Sequence, residues 1–260
     1  MVKEKIVPLP DIADRQTWLD ERRRLLIKEK ELTRLQDECA AARRELPMVR
    51  LTEDYRFTGL DGAVSLLDLF GNHDQLIVQH FMFDPSWEDG CPSCTAMAQA
   101  GATPQIRHQL DRRGTAFAAV SRAPLRQLAA VRERRGWTFD WYSSFDSTFN
   151  LDFDVTLDPA AAPARFNFSD AAELADTDLA RLLTYTGEQP GISCFLRNGD
   201  EVFHTYSTYA RGGEVMMPAY RLLDLTAYGR QEPWEQPTGR PPELFRSDRG
   251  VLTEQKFPPA

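Results

Sequence analysis

Residues 76–83, LIVQHFMF, make an almost unbroken apolar run, and eight residues later the chain reads Cys91-Pro92-Ser93-Cys94, leading into TAMAQA. An apolar run of that length fits a strand buried on both faces, as in a parallel sheet covered by helices. Pro92 suits a first helical turn, where its missing N–H would have had no partner anyway. Thr115 to Ser121 reads as a second buried strand, Pro124 to Arg135 as a helix closed by Gly136, and Phe153 to Leu157 as a further strand. A β-α-β-α-β order requires parallel strands with right-handed crossovers, so the pattern predicts a three-layer α/β/α sandwich.

The rest of the chain frames that domain. Thr17 followed by Trp18, Leu19 and Asp20 reads as a capping signal, and no Gly or Pro follows until Pro47, which predicts one long helix over 17–46. Trp18, Leu25, Leu32, Cys39 and Leu46 recur every seven residues amid charge, a narrow stripe that must lie on the chain's own core or on a second copy as a homodimer. Tyr55 to Phe57 and Val64 to Phe70 read as a hairpin about Asp61-Gly62 that leads into a short helix or turn. The stretch 158–178 reads as a loose insertion with at most a short helix over Asp178 to Leu183. Ile192 to Arg197 and Glu201 to Thr205 flank the hairpin signal Asn198-Gly199, and Glu214 to Thr226 reads as a last helix. From Arg230 onward proline and charge predict an extended or disordered tail. The expected organisation is a helical arm over 1–47, an α/β domain over 48–229 and a tail over 230–260.

A formal net charge of −8 and a pI near 5.1 leave no basic footprint for nucleic acid or an anionic membrane. The opening MVKEKIVPLPDIADR has no signal-like apolar stretch, and no segment reaches the roughly 18 apolar residues of a membrane span, so a cytoplasmic setting is expected. The four cysteines, Cys39, Cys91, Cys94 and Cys194, are too few and too unevenly spaced for a disulfide framework. In a reducing compartment the close pair then points to catalysis or to a metal.

A C-x-x-C at a strand-to-helix junction serves thiol chemistry in each of its parts. Unpaired N–H groups at the helix start favour a thiolate at Cys91, lowering its pKa to roughly 3.5–7.5. Cys94, on the same side of the first turn, can resolve a mixed disulfide formed on Cys91. The competing reading is a metal-binding protein in which Cys91, Cys94 and a histidine, His204 or His80, hold a copper or zinc ion; a scaffold with a vestigial dithiol is a third. His80 interrupts the apolar strand and is a candidate proton relay for Cys94, against the alternative of a core histidine bonded to backbone. His204 sits among Tyr206, Tyr209 and Arg211, a cluster that lines a pocket or is an ordinary strand end. Cys194 and Cys39 read as packing residues. No Gly-rich dinucleotide loop or Walker sequence is found, so no organic cofactor is implied.

The runs HFMFDPSWEDGCPSC, AFAAVSRAP, GWTFDWYSSFDSTFN and VFHTYSTYARGGE, with LLDLTAYGRQE, resemble the thioredoxin-like family catalogued as domain of unknown function 899, over the chain from the arm to about Glu232. Members of that family are predicted dithiol-disulfide oxidoreductases. The resemblance implies that Cys91 attacks and Cys94 resolves, with a thiol or disulfide substrate and an external reductant as partners. Thioredoxins place a cis-proline just before a strand, beside the active disulfide; Ser193 of Gly191-Ile192-Ser193-Cys194 aligns there, Pro190 falling too early. Pro92 and Arg211 are further expected substrate contacts, and Trp87 is expected to cover the site. The peroxiredoxin branch is similar in TAFAAVS and WYSS, but its Thr-x-x-Cys signature has Glu88 in place of threonine; a thiol peroxidase here would recruit Ser93 and Arg122 or Arg211.

Overall fold

The structure is a computed structural model and describes residues 10–232 and Glu235. Among these, residues 10–47 with 222–232 and Glu235 form one compact unit, and residues 48–221 a second. The expected tail beyond Glu232 lies, Glu235 apart, outside the described residues.

In the first unit, helix α1 spans Arg15–Glu45. Its cap is Asp14, whose Oδ1 accepts from Gln16 N at 2.8 Å and Thr17 N at 2.9 Å. The expected cap, Thr17, lies inside the first turn and donates its hydroxyl to Asp14 Oδ2. A carboxylate takes two orphan N–H groups where a hydroxyl at Thr17 would have begun the helix later. Leu46, with ψ 134°, leaves the helix because the residue before a proline is driven to extended backbone. No α1 residue is buried, and Trp18, Leu25 and Leu32 of the seven-residue stripe are exposed.

The second unit holds β1 (Val49–Arg50), β2 (Arg56–Gly59), β3 (Gly62–Ser65), β4 (Gln75–His80), α2 (Pro92–Gly101), α3 (Pro104–Asp111), β5 (Thr115–Ser121), α4 (Leu125–Arg135) and β6 (Asp140–Ser143). There follow α5 (Phe149–Asp152), β7 (Thr156–Leu157), α6 (Ala171–Ala175), β8 (Gly187–Glu188), β9 (Gly191–Asn198) and β10 (Glu201–Tyr209); α7 (Pro218–Leu223) closes the sequence of elements. One eight-stranded sheet runs β1-β10-β9-β4-β5-β6-β2-β3. The pairs β4–β5 and β5–β6 are parallel, while β9 returns antiparallel to β4 and β10 antiparallel to β9. Helices α2 to α4 fill the two crossovers, which step the same way along the sheet and so lie on one face. Leu76 and Val78 of β4, with Ala118 and Val120 of β5, turn to the other face, where Phe149 of α5, Phe153 just after it and Phe70 complete a buried cluster. This is the thioredoxin-like α/β fold, with the dithiol helix following the central strand.

Four expectations are corrected. The third parallel strand is β6, not Phe153 to Leu157; that segment begins in the turn that caps α5 and yields only β7, which pairs with β8 in a separate two-stranded sheet. Strand β4 stops at His80 rather than Phe83: His80 pairs with Gly191, and the next residue on β9's side would be Pro190, which has no N–H to donate. The stretch 158–178 holds helix α6 under a capping box, with Asp170 accepting from Glu173 N and Glu173 from Asp170 N. The expected last helix becomes a 3-10 turn over Ala210–Met216 followed by the short α7.

Candidate functional site

Cys91 is the N-cap of α2 and Pro92 its first residue. The loop that delivers it is tied down at both ends. At its start Asp84 Oδ1 accepts from Ser86 N at 2.8 Å and Ser86 Oγ at 2.6 Å. At its end Asp89 pairs with Arg134 at 3.2 Å and Arg135 at 3.0 Å, both from α4. Gly90 lies against the Phe81 ring, and a Cβ there would collide with ring atom Cε1. Cys91 N then donates to Met82 O at 3.0 Å, and Met82 N donates to Cys94 Sγ at 3.4 Å. One residue past β4 and Phe81 thus docks both cysteines.

Both thiols are free and buried, Cys91 at 6% exposure and Cys94 at 0%. The Cys94 side chain hydrogen-bonds Cys91, and with the N–H groups of Cys94 and Ser93 and the Ser93 hydroxyl it outweighs burial and holds the Cys91 thiol down to about 6. The same bond to Cys91, together with burial and the Cys91 charge, pushes Cys94 well above the ordinary thiol range. One sulfur is therefore a thiolate at neutral pH and its neighbour a thiol, the asymmetry a nucleophile and a resolver need.

His80 is not placed to serve Cys94. Successive side chains of β4 alternate faces, and Gln79 is the one that turns to the dithiol helix, its Nε2 donating to Cys94 O at 3.2 Å. His80 turns the other way. Its ring packs on Phe149 and Phe153, and its Nε2 meets Ser193 Oγ at 2.7 Å. Burial drops its pKa to about 3, so it stays neutral. Ser193 is likewise no substrate contact: it is the third residue of β9, fully buried, and its hydroxyl joins His80 to Ser207 at 2.7 Å. Pro190 is the residue that immediately precedes β9. His204 closes this buried row, its Nε2 meeting Ser207 Oγ at 2.8 Å. Residues 204 and 207 would face opposite ways in a regular strand, but a register shift between His204 and Tyr206 brings them to one side. The expected copper or zinc set of Cys91, Cys94 and His204 is not assembled; among the described residues no three His, Cys, Asp or Glu side chains are grouped to hold a metal ion.

Of the other expected contacts, Trp87 lies half-buried in the loop before Cys91, its carbonyl accepting from Gln127 Nε2 at 3.4 Å. Arg211 belongs to the 3-10 turn that packs on α2 through Gly101 against Met216 and Gly213 against Met97, and it pairs with Glu214 at 2.6 Å. Cys194 is half-buried on β9, its thiol raised to about 11 by burial, and Cys39 is exposed on α1. Sequence reasoning did not single out Gln79 or Glu188. The period-2 alternation of β4 was the available signal for Gln79; Glu188 left none.

A thioredoxin-like domain with a C-x-x-C dithiol at the start of the helix after its central strand is what fold and site define. The chain belongs to the family described as bacterial protein of unknown function, DUF899, whose model matches residues 7–248. Among solved structures it is similar to a Cys-to-Ser mutant of PrxQ from Xylella fastidiosa, at 12% identity over 67% of this chain and 94% of that one, with a TM-score of 0.42. It is also similar to the bacterioferritin comigratory protein of Xanthomonas campestris (13%, 68% and 98%, TM-score 0.42) and to peroxidoxin BcpB of Mycobacterium tuberculosis (14%, 68% and 96%, TM-score 0.39). No curated protein matches the sequence. Among the described residues no helix is long and apolar enough to cross a membrane.

Proposed function

We propose that the protein is a thiol-disulfide oxidoreductase in which the Cys91 thiolate attacks a substrate disulfide and Cys94 resolves the adduct. The observation that carries this reading is the split between the two sulfurs, Cys91 held down to about 6 and Cys94 pushed up, at the N-terminus of a ten-residue helix. In the first step a bond forms between Cys91 Sγ and one substrate sulfur, and the other substrate sulfur leaves as a thiolate that takes a proton from solvent. In the second, Cys94 gives up its proton to solvent and its sulfur displaces the first substrate sulfur, which leaves as a thiolate and is protonated from solvent, closing Cys91–Cys94 as a disulfide. An external dithiol reductant returns the pair to its starting state. Gln79, which cannot exchange a proton at neutral pH, orients the Cys94 backbone without acting as its base.

The test is an equilibrium redox titration of the full chain, scoring Cys91 and Cys94 by differential alkylation and mass. A reversible two-electron transition within the roughly −270 to −120 mV range of dithiol oxidoreductases is expected. Absence of a Cys91–Cys94 disulfide at every potential tried would overturn the reading.

A further inference from the structure

The mechanism above leaves unused a buried carboxyl at the same end of the sheet. Glu188 has a side chain 2% exposed and accepts from Thr156 Oγ1 at 2.8 and 2.9 Å, from Asn150 Nδ2 at 3.0 Å and from Arg122 Nη1 at 3.4 Å. Asn150 is itself fixed by Ser144 Oγ at 2.7 Å. The strand register places this group relative to the dithiol. β5 is paired with β4 up to Val120 opposite His80, and Phe81 N continues the ladder to Val120 O at 2.8 Å; Arg122 comes two residues further on. On β4's other side Gly191 is opposite His80, and Glu188 comes three residues earlier. The Arg122–Glu188 pair therefore lies beyond the end of β4 from which the chain runs on to Met82, and Tyr185 feels the charges of both Glu188 and Cys91. Arg122 is 35% exposed, and among the described residues Glu188 is its one hydrogen-bond partner, which leaves the rest of its donor fork open to solvent.

We propose that Arg122 receives a carboxylate of the disulfide substrate, so that the partner of Cys91 is an acidic disulfide, with Glu188 as the positioning residue that holds the guanidinium. The inference rests on the exchange reaction proposed above. Thr156 on β7 and Asn150 on α5 fix the carboxyl, and the carboxyl orients the Arg122 fork from the turn after β5 without leaving it buried. The grip also depends on pH. Burial lifts Glu188 to about 7, against the hydrogen bonds of Thr156 and Asn150 and the charge of Arg122, while the Asp84 carboxylate adds to the rise. The Tyr185 hydroxyl, which packs over Gly187, feels the charges of Glu188, Asp84 and Cys91. Below about 7 the Glu188 carboxyl is neutral and the Arg122 charge uncompensated; above it, Glu188 cancels part of that charge.

The experiment compares second-order rates of the reduced full-length protein with oxidised glutathione, which carries carboxylates ionised throughout, and with neutral hydroxyethyl disulfide, at pH 6 and pH 8. Taking the ratio of the two rates removes the titration of Cys91 itself. The ratio is expected to be roughly fivefold higher in the wild type than in Arg122→Gln at pH 6, and to fall at pH 8 in the wild type but not in Glu188→Gln. In the wild type, added salt should slow the glutathione reaction more than the neutral one, a readout that holds even if a variant does not fold. Equal ratios in the wild type and Arg122→Gln, or equal salt sensitivity of the two disulfides, would overturn the inference while leaving exchange intact. Failure of the wild type to react with either disulfide would instead overturn the exchange reaction, and the inference with it.

Discussion

Two neighbouring residues, Gln79 and His80, show how much turns on a single step along a strand. His80 carries the titratable group and Gln79 does not, yet it is Gln79 that reaches Cys94. The resolving thiol therefore has no imidazole beside it, and the ionisation of Cys91 rests chiefly on Cys94. Replacing Cys94 by Ala is expected to move the midpoint of Cys91 alkylation up from about 6 toward the ordinary thiol value of 9.0; an unchanged midpoint in the iodoacetamide rate profile would count against that assignment. His80 belongs to stability instead. Its folded pKa of about 3 lies below the ordinary 6.5, so the unfolded chain binds the extra proton and stability is lost as pH falls from 6.5 toward 3. In His80→Leu, urea midpoints compared at pH 7 and pH 4 should show a smaller loss than in the wild type, because the group that must be left uncharged is gone.

At the scale of elements, the loop from Asp84 to Gly90 does as much for the site as the helix it introduces. Asp84 closes its first turn, Arg134 and Arg135 hold its end through Asp89, and Gly90 lets it lie on Phe81, whose ring meets Trp141 at 4.6 Å. Gly90→Ala puts a methyl into a packed aromatic cluster. A destabilisation of about 1–3 kcal/mol is expected, together with slower Cys91 alkylation as the N-cap is pulled from Met82; chemical denaturation and the alkylation rate would reveal an effect smaller than this. The β10 bulge works in the same local way. By changing the face of one residue it collects Ser207 and His204 beside Ser193, so every hydroxyl in that buried row has a partner.

For the whole molecule, holding Cys91 as a thiolate couples folding to redox state. The Cys91 pKa is lower folded than unfolded, so it adds to the stability of the reduced protein above about 9, and that contribution is lost as pH falls through about 6. The disulfide form receives none of it. Reduced protein is accordingly expected to resist urea better, relative to the oxidised form, at pH 8 than at pH 5, with a gap that narrows on acidification. Parallel urea titrations of both forms would expose the idea as wrong if the gap were the same at both pH values. What the sequence determined by itself was local: the apolar runs that became β4 and β5, the Pro92 helix start with its two cysteines, and the Asn198-Gly199 hairpin, each fixed by neighbours a few residues apart. Strand β6, only four residues long, was too short for periodicity to register. The tertiary structure alone decided which face of β4 meets the dithiol helix, where β9 begins relative to Pro190, and that Arg122 meets Glu188 across 66 residues of chain. Those outcomes depend on crossover hand, register and burial, which are properties of packed strands and have no counterpart in the spacing of residues along one of them.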